Sequence, residues 1–125
     1  QHLKRHQISP DIIVPVPLHR TRLRERGFNQ AGLLARVVGK WLEIDTDAKG
    51  LSRTDYLGPQ ARTTSRKEHK ANVEGAFVAA RDFSGLFVVV VDDVTTTGLT
   101  LEACAVALRD AGAGAIWGLA FAREA

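Results

Sequence analysis

An α/β fold with a mostly parallel central sheet flanked by helices is predicted by two kinds of stretch that alternate along the chain. Short β-branched runs without alternation, "IIV" at 12–14 and "VVVV" at 88–91, read as strands covered on both faces. Stretches with apolar residues recurring at three and four, within 28–44 and 98–112, read as helices laid against a sheet. Glycine and proline mark the junctions between them. At 125 residues the chain is long enough for one core and too short for two, so residues 1–125 are expected to form one domain.

The elements follow in order. "DIIVPV" (11–16) is a buried strand, and "PLHRTRLRERG" (17–27) reads as a basic loop opened by proline and closed by glycine. In "FNQAGLLARVVGKWLEI" (28–44), Leu33, Leu34, Val37, Val38, Trp41 and Leu42 form the stripe expected to pack on the sheet. "KGLSRT" (49–54) is a short strand. "DYLGPQARTTSRKEHKAN" (55–72) has almost no apolar periodicity and reads as a long loop, a kind that compact domains usually keep for function. "VEGAFVAA" (73–80) alternates weakly, and "LFVVVV" (86–91) is the central strand. "GLTLEACAVALRDAG" (98–112) puts Leu101, Ala105 and Leu108 on one helix face and ends on Gly112. "AIWGLAFA" (115–122) is expected to be a final buried strand, with Trp41 and Trp117 both in the core.

Composition narrows the function classes. An apolar fraction of 45% and a charged fraction of 25% are ordinary for a globular protein. No apolar stretch reaches the roughly 20 residues of a membrane span, and the first residues lack the apolar core of a signal peptide, so a cytoplasmic location is expected. The one cysteine, Cys104, excludes an internal disulfide and a thiolate zinc cluster, and should pack inside its helix. His2 and His6 are four apart but lack a third ligand, and His69 sits among loop charges. Charge is uneven. Residues 1–70 carry 14 Lys and Arg against 7 Asp and Glu (+7), and residues 71–125 carry 3 against 7 (−4). Such asymmetry suits a nucleic-acid face, or basic loops meeting a polyanionic small molecule held by the other half.

"VVVVDDVTTTGLT" (88–100) is the stretch that packing does not explain. Two adjacent carboxylates repel, and a Thr-Thr-Thr-Gly run fills no core. At the carboxyl end of a central strand and the amino end of a helix, however, it lies where open α/β sheets bind ligands. Unpaired N–H groups at a helix start form a cup for phosphate, and the hydroxyls of Thr96, Thr97 and Thr100 add donors. Gly98 lets an oxygen approach the backbone. Asp92 and Asp93 can accept hydrogen bonds from two vicinal hydroxyls. Phosphate cup and diol clamp together describe a ribose 5-phosphate site.

These thirteen residues resemble the signature of type I phosphoribosyltransferases, in which four apolar residues, two acids and a Thr/Gly phosphate loop bind phosphoribosyl pyrophosphate. No Gly-Lys-Ser/Thr of a Walker loop occurs, and the acids are adjacent rather than two apart as a haloacid-type phosphatase requires. A second likeness is narrower. "PVPLHRTRLRERGFNQAGLLA" (15–35) resembles the ComF subfamily, as does the segment from Arg53 through Gln60 and Arg66 to "NVEGAF" (72–77). ComF proteins usually begin with a cysteine zinc ribbon and a helix, and this sequence shows neither, which implies an isolated transferase-like core.

The resemblance implies roles residue by residue. Asp92 and Asp93 would hold the diol and face the developing cation. Thr95, Thr96, Thr97, Gly98, Leu99 and Thr100 would bind the 5-phosphate. Leu18, His19 and Arg20 would receive pyrophosphate, and Arg66 would reach it when a mobile loop closes. Arg22, Arg24 and Arg26 are equally explained as a solvated cluster, and Asn29 as a helix cap. Mg²⁺ is the implied cofactor, since it prefers phosphates and few carboxylates. The acceptor is unspecified. The alternative is a non-catalytic module for DNA uptake, with single-stranded DNA or a helicase as partner. Few aromatics accompany the basic regions, only Phe28 and Tyr56, which disfavours a base-stacking surface.

Overall fold

The structure, a computed structural model, describes residues 9–18, 20–54, 76–95 and 97–123. Strands β1 (Ile12–Pro15), β2 (Asp45–Thr46), β5 (Phe87–Thr95) and β6 (Ala115–Arg123) form a parallel sheet in the order β2-β1-β5-β6. Strands β3 (Leu51–Arg53) and β4 (Phe77–Ala79) form a separate antiparallel pair. The helices are α1 (Arg20–Arg26), α2 (Gln30–Leu42) and α3 (Leu99–Asp110).

The unbroken valine run of β5 has a direct cause. Val88 and Val90 face one layer with Ile12 and Val14, under α3 and the β3–β4 pair, where Cys104, Leu108, Leu51 and Phe83 are also buried. Val89 and Val91 face the opposite layer with Ile13, under α2. Each residue of the run therefore meets a covered face. Pro15 is tolerated in the central strand β1 because it lies on the side of Ile13, facing β2. That strand pairs only as far as Thr46, opposite Ile13, so no ladder bond is lost.

Four local expectations are corrected. The basic stretch 17–27 is not all loop, because residues 20–26 form α1, rich in helix-favouring Arg, Leu and Glu. It stops at Gly27, which has φ +82 and donates its N–H to the Leu23 carbonyl at 2.7 Å.

The buried stripe of α2 is rotated from the predicted one. Ala31, Ala35 and Gly39 are buried, with Leu34 and Val38 half-buried, while Leu33, Val37, Trp41 and Leu42 are exposed. The helix approaches the sheet closely at Gly39, where an added Cβ would collide with the Thr46 hydroxyl and the Ile44 carbonyl. Small residues therefore turn inward and large ones outward.

Neither tryptophan is in the core, Trp41 being 86% and Trp117 61% exposed. Trp117 makes one edge-on contact with Phe87, at 5.2 Å between ring centres. Nor is β6 a buried strand: it is the sheet edge, and Trp117, Leu119 and Phe121 are exposed on it.

Other readings hold. Helix α2 opens on Asn29, as a cap should. α3 ends in a Schellman turn, with Gly112 N–H to the Arg109 carbonyl at 2.9 Å and Ala113 N–H to the Leu108 carbonyl at 3.1 Å. The predicted long loop, with Tyr56 and Arg66, lies outside the described residues. Its stems are joined where Thr54 N–H meets the Ala76 carbonyl at 2.7 Å, continuing the β3–β4 pairing. Among the described residues no helix is long and apolar enough to cross a membrane.

Candidate functional site

The sheet order creates the site. Chain leaving β1 turns toward β2, and chain leaving β5 turns the opposite way, toward β6. Between two strand ends that diverge in this way lies the crevice where open α/β sheets take ligands. Val16 N–H bonds the Val91 carbonyl at 2.8 Å, so Pro17 and Leu18 emerge beside Asp92 and Asp93.

Asp92 is the one buried charged residue among those described, at 9% exposure. Burial, then a hydrogen bond shared with the Asp93 carboxyl, pushes its pKa up to about 6, even though the Asp93 backbone N–H donates to it at 2.9 Å and the Arg53 charge opposes the shift. The pair is thus strained by its own charge, as expected of adjacent carboxylates.

The sign of the pH dependence follows. The unfolded carboxyl titrates near 3.8 and the folded one near 6, so the penalty is absent below the first value and complete above the second. Asp92→Asn should raise the melting temperature at pH 8, by an amount corresponding to up to about 3 kcal/mol. The gain should vanish by pH 4, and thermal melts of both proteins across that range measure it.

Asp93 lies 3.8 Å from the Arg26 guanidinium at the end of α1. With both side chains partly in water the pair adds little stability. It does bring a cation from the basic stretch to the carboxylates, a connection that the sequence left open between ligand contact and solvated surface. Asn29 accepts the Ala31 N–H at 3.1 Å, and its amide donates to the Val16 carbonyl at 3.1 Å. The cap therefore also ties α2 to the exit of β1.

The turn into α3 is already shaped. Gly98 is the N-cap residue with φ +82, its N–H bonded to the Thr95 hydroxyl at 3.1 Å, while Leu99 N–H bonds the Thr97 hydroxyl at 3.2 Å. These hydroxyls brace the loop as acceptors and keep their own hydrogens for a ligand. Leu99 and Thr100 form the first turn of α3, whose positive end faces the crevice. Thr96 and His19 lie outside the described residues, as does Arg66. Arg20 begins α1, and Leu18 is half-buried beside the crevice.

Arg53, placed by sequence only at the start of the ComF-like segment, bears with its charge on Asp92 and on Cys104. Its neighbours in sequence do not reveal its nearness to Asp92, because only the pairing of β3 with β4 brings it to the site. Cys104 has no reactive part here, since burial pushes its thiol up to about 12. Among the described residues no group of three or more His, Cys, Asp or Glu could enclose a metal ion. A carboxylate pair without a cage suits an ion that arrives on phosphate oxygens and keeps its waters.

No family model matches the chain. It is 39% identical over 121 residues to competence protein F of Haemophilus influenzae, covering 92% of this chain and 52% of that protein. It is 38% identical over 107 residues to the DNA utilization protein YhgH of Escherichia coli, covering 86% and 47%. To competence protein ComFC of Bacillus subtilis it is 30% identical over 113 residues, covering 87% and 44%. The chain thus spans about half the length of the curated relatives it matches.

Solved structures share the fold at low identity. An allosteric regulatory enzyme of purine biosynthesis superposes with a TM-score of 0.61 at 22% identity, covering 95% of this chain and 23% of that one. The glutamine phosphoribosylpyrophosphate amidotransferase from B. subtilis, complexed with ADP and GMP, gives 0.60 at 22%, covering 91% and 23%. With these relatives along nearly all its length and these structures sharing its architecture, the chain belongs to the ComF family and has the type I phosphoribosyltransferase fold.

Proposed function

We propose that the domain binds phosphoribosyl pyrophosphate with Mg²⁺ and transfers its phosphoribosyl group to a nitrogen acceptor, releasing pyrophosphate. The observation that carries this reading is the order of groups along the carboxyl edge of the sheet. The braced helix start at 97–100 comes first, then Asp92 and Asp93 in the carboxyl half of β5, then the exit of β1 at Pro17 and Leu18. Phosphoribosyl pyrophosphate has the same order: 5-phosphate, ribose diol, 1-diphosphate.

In the reaction, the bond from the anomeric carbon to the diphosphate oxygen breaks and its electron pair leaves with the diphosphate. A nitrogen lone pair forms the new bond, and the acceptor's proton passes to solvent. Such a displacement needs placement and charge rather than a protein nucleophile. The helix start would anchor the 5-phosphate. Asp92, ionised above pH 6, and its neighbour Asp93 would accept from the 2- and 3-hydroxyls and face the positive charge that develops on the sugar. Arg26 would hold Asp93 in place. Mg²⁺ would be held by the diphosphate and the Asp92–Asp93 pair, and would supply charge neutralisation of the leaving group.

Crystals grown with phosphate, sulfate or the sugar phosphate should carry an anion within hydrogen-bond reach of the backbone at 97–100. An ordered anion only at some other site, with this turn filled by its own side chains, would count against the reading.

Similarity to a competence protein and a DNA utilization protein favours a second reading, in which the domain serves DNA utilization or competence without transferring phosphoribosyl groups. Single-stranded DNA or a helicase would then be the partner. The two readings separate on the ligand, because only the first requires saturable binding of the sugar phosphate that depends on Asp92 and Asp93.

A further inference from the structure

We infer that the outer edge of β6 is a self-association surface, on which a second copy of this chain lays its own β6 antiparallel to the first and joins two four-stranded sheets into one.

β6 is an edge without the usual guards. Among the described residues no strand pairs with its outer side, where every second residue turns a backbone N–H and C=O away from β5. Edge strands of proteins that stay single are commonly short, bulged, or interrupted by charge or proline. β2, at the opposite edge of the sheet, is short at two residues. β6 runs for nine residues, contains no proline and carries no charge from Ala115 to Ala122. Nor is it bulged, since its register against β5 is the same at both ends, with Phe87 opposite Ala115 and Thr95 opposite Arg123.

The strand also complements itself. Trp117, Leu119 and Phe121 alternate onto the face that carries Phe87, where α2 packs over β1, β2 and β5 and leaves these three side chains exposed. Leu119 is the midpoint of β6. Full antiparallel overlap of two copies therefore sets Leu119 opposite the partner's Leu119, and Trp117 opposite the partner's Phe121 twice over by symmetry. On the other face Gly118 would meet the partner's Ala120, two small residues that let the backbones pair without collision. With Trp117 61%, Leu119 38% and Phe121 50% exposed, side chains of roughly 150–250 Å² offer about 300 Å² per copy. The paired backbone edges about double that, so the two copies together bury on the order of 1,200 Å², the lower bound of stable interfaces. Such an area suits dissociation at about micromolar concentration. Growth stops at two, because β2 is too short to offer a second edge. Antiparallel pairing turns the two crevices to opposite ends of the joined sheet, so each copy keeps its own ligand site whatever that site binds.

Sedimentation equilibrium of the parent chain without ligand, from micromolar to millimolar concentration, should pass from 13.6 kDa to twice that mass and no further. Leu119→Lys sets two like charges face to face at the symmetry axis and should weaken the pair about a hundredfold. Phe121→Thr keeps a strand-favouring residue, removes one aromatic from each cross-strand pair and should weaken association about tenfold, serving as the test should the lysine variant not fold. Trp41→Ser, at an exposed tryptophan on α2, should leave the pair unchanged. A parent chain that stays at 13.6 kDa throughout overturns the inference, as does growth beyond the dimer or a dimer that survives both β6 substitutions. A face reserved for a different protein would give the first of these results. Equal weakening by Trp41→Ser would show association through apolar surface at large rather than strand pairing, and overturns it as well.

Discussion

A chain carrying Asp92→Asn and Asp93→Asn together is expected to bind phosphoribosyl pyrophosphate about a hundredfold more weakly than the parent while folding at least as stably. Hydrogen bonds to an ionised acceptor contribute roughly 1.5 to 3 kcal/mol each, and asparagine keeps only a neutral carbonyl in that place. A loss near 1.4 kcal/mol is one decade, so two such bonds give about two decades. Stability moves the other way, because Asp92 is buried and pushed up to about 6 partly by its neighbour, and the double change removes that repulsion. Single-stranded DNA binding, if present, should hold or tighten slightly as negative charge is lost. Titration calorimetry and thermal melts of the two proteins give both readouts. Full sugar-phosphate affinity in the double variant with loss of DNA binding would make the uptake reading the better account.

Gly98→Val should cost at least tenfold in affinity for ribose 5-phosphate and lower the melting temperature by several degrees. Gly98 sits at φ +82, where an L-residue costs roughly 1–2 kcal/mol and a β-branched one more. An added Cβ would meet nothing within 4 Å, so packing plays no part. The effect comes from backbone strain in the turn and from crowding the side on which a phosphate oxygen would approach. Gly85→Val is the matched control. Gly85 also has positive φ, +75, with open space around an added Cβ, and it lies in the turn before β5, at the opposite end of that strand from the site. It should lose stability comparably and keep its affinity.

Much of the fold and part of the site could be read from residues alone, and the division has physical reasons. The valine run, the helix starting at Asn29 and the glycine after α3 are local patterns whose causes act within a few residues, so they were legible. Asp92, Asp93 and the turn at 97–100 were legible because their composition makes poor packing and good ligand chemistry.

What failed depended on tertiary placement. The stripe of α2 turned because Gly39 lets the helix approach Thr46 closely, a demand of the strand it packs on rather than of its own periodicity. Trp117 looked like core because β6 is apolar on both faces, but sheet order put that strand at the edge. The nearness of Arg53 to the carboxylates has no local signal for the same reason. Its relation to Asp92 spans 39 residues and depends on where β3 folds back over the sheet.

The central claim is that the crevice between β1 and β5 takes phosphoribosyl pyrophosphate. Direct titration of the parent chain with phosphoribosyl pyrophosphate and Mg²⁺, at pH 7.5 to 8 where Asp92 is ionised, tests it most directly. The account predicts saturable one-to-one binding that ribose 5-phosphate competes away and that is lost with Asp92→Asn and Asp93→Asn. Absence of binding at millimolar ligand, or binding indifferent to both the competitor and the double substitution, would contradict it.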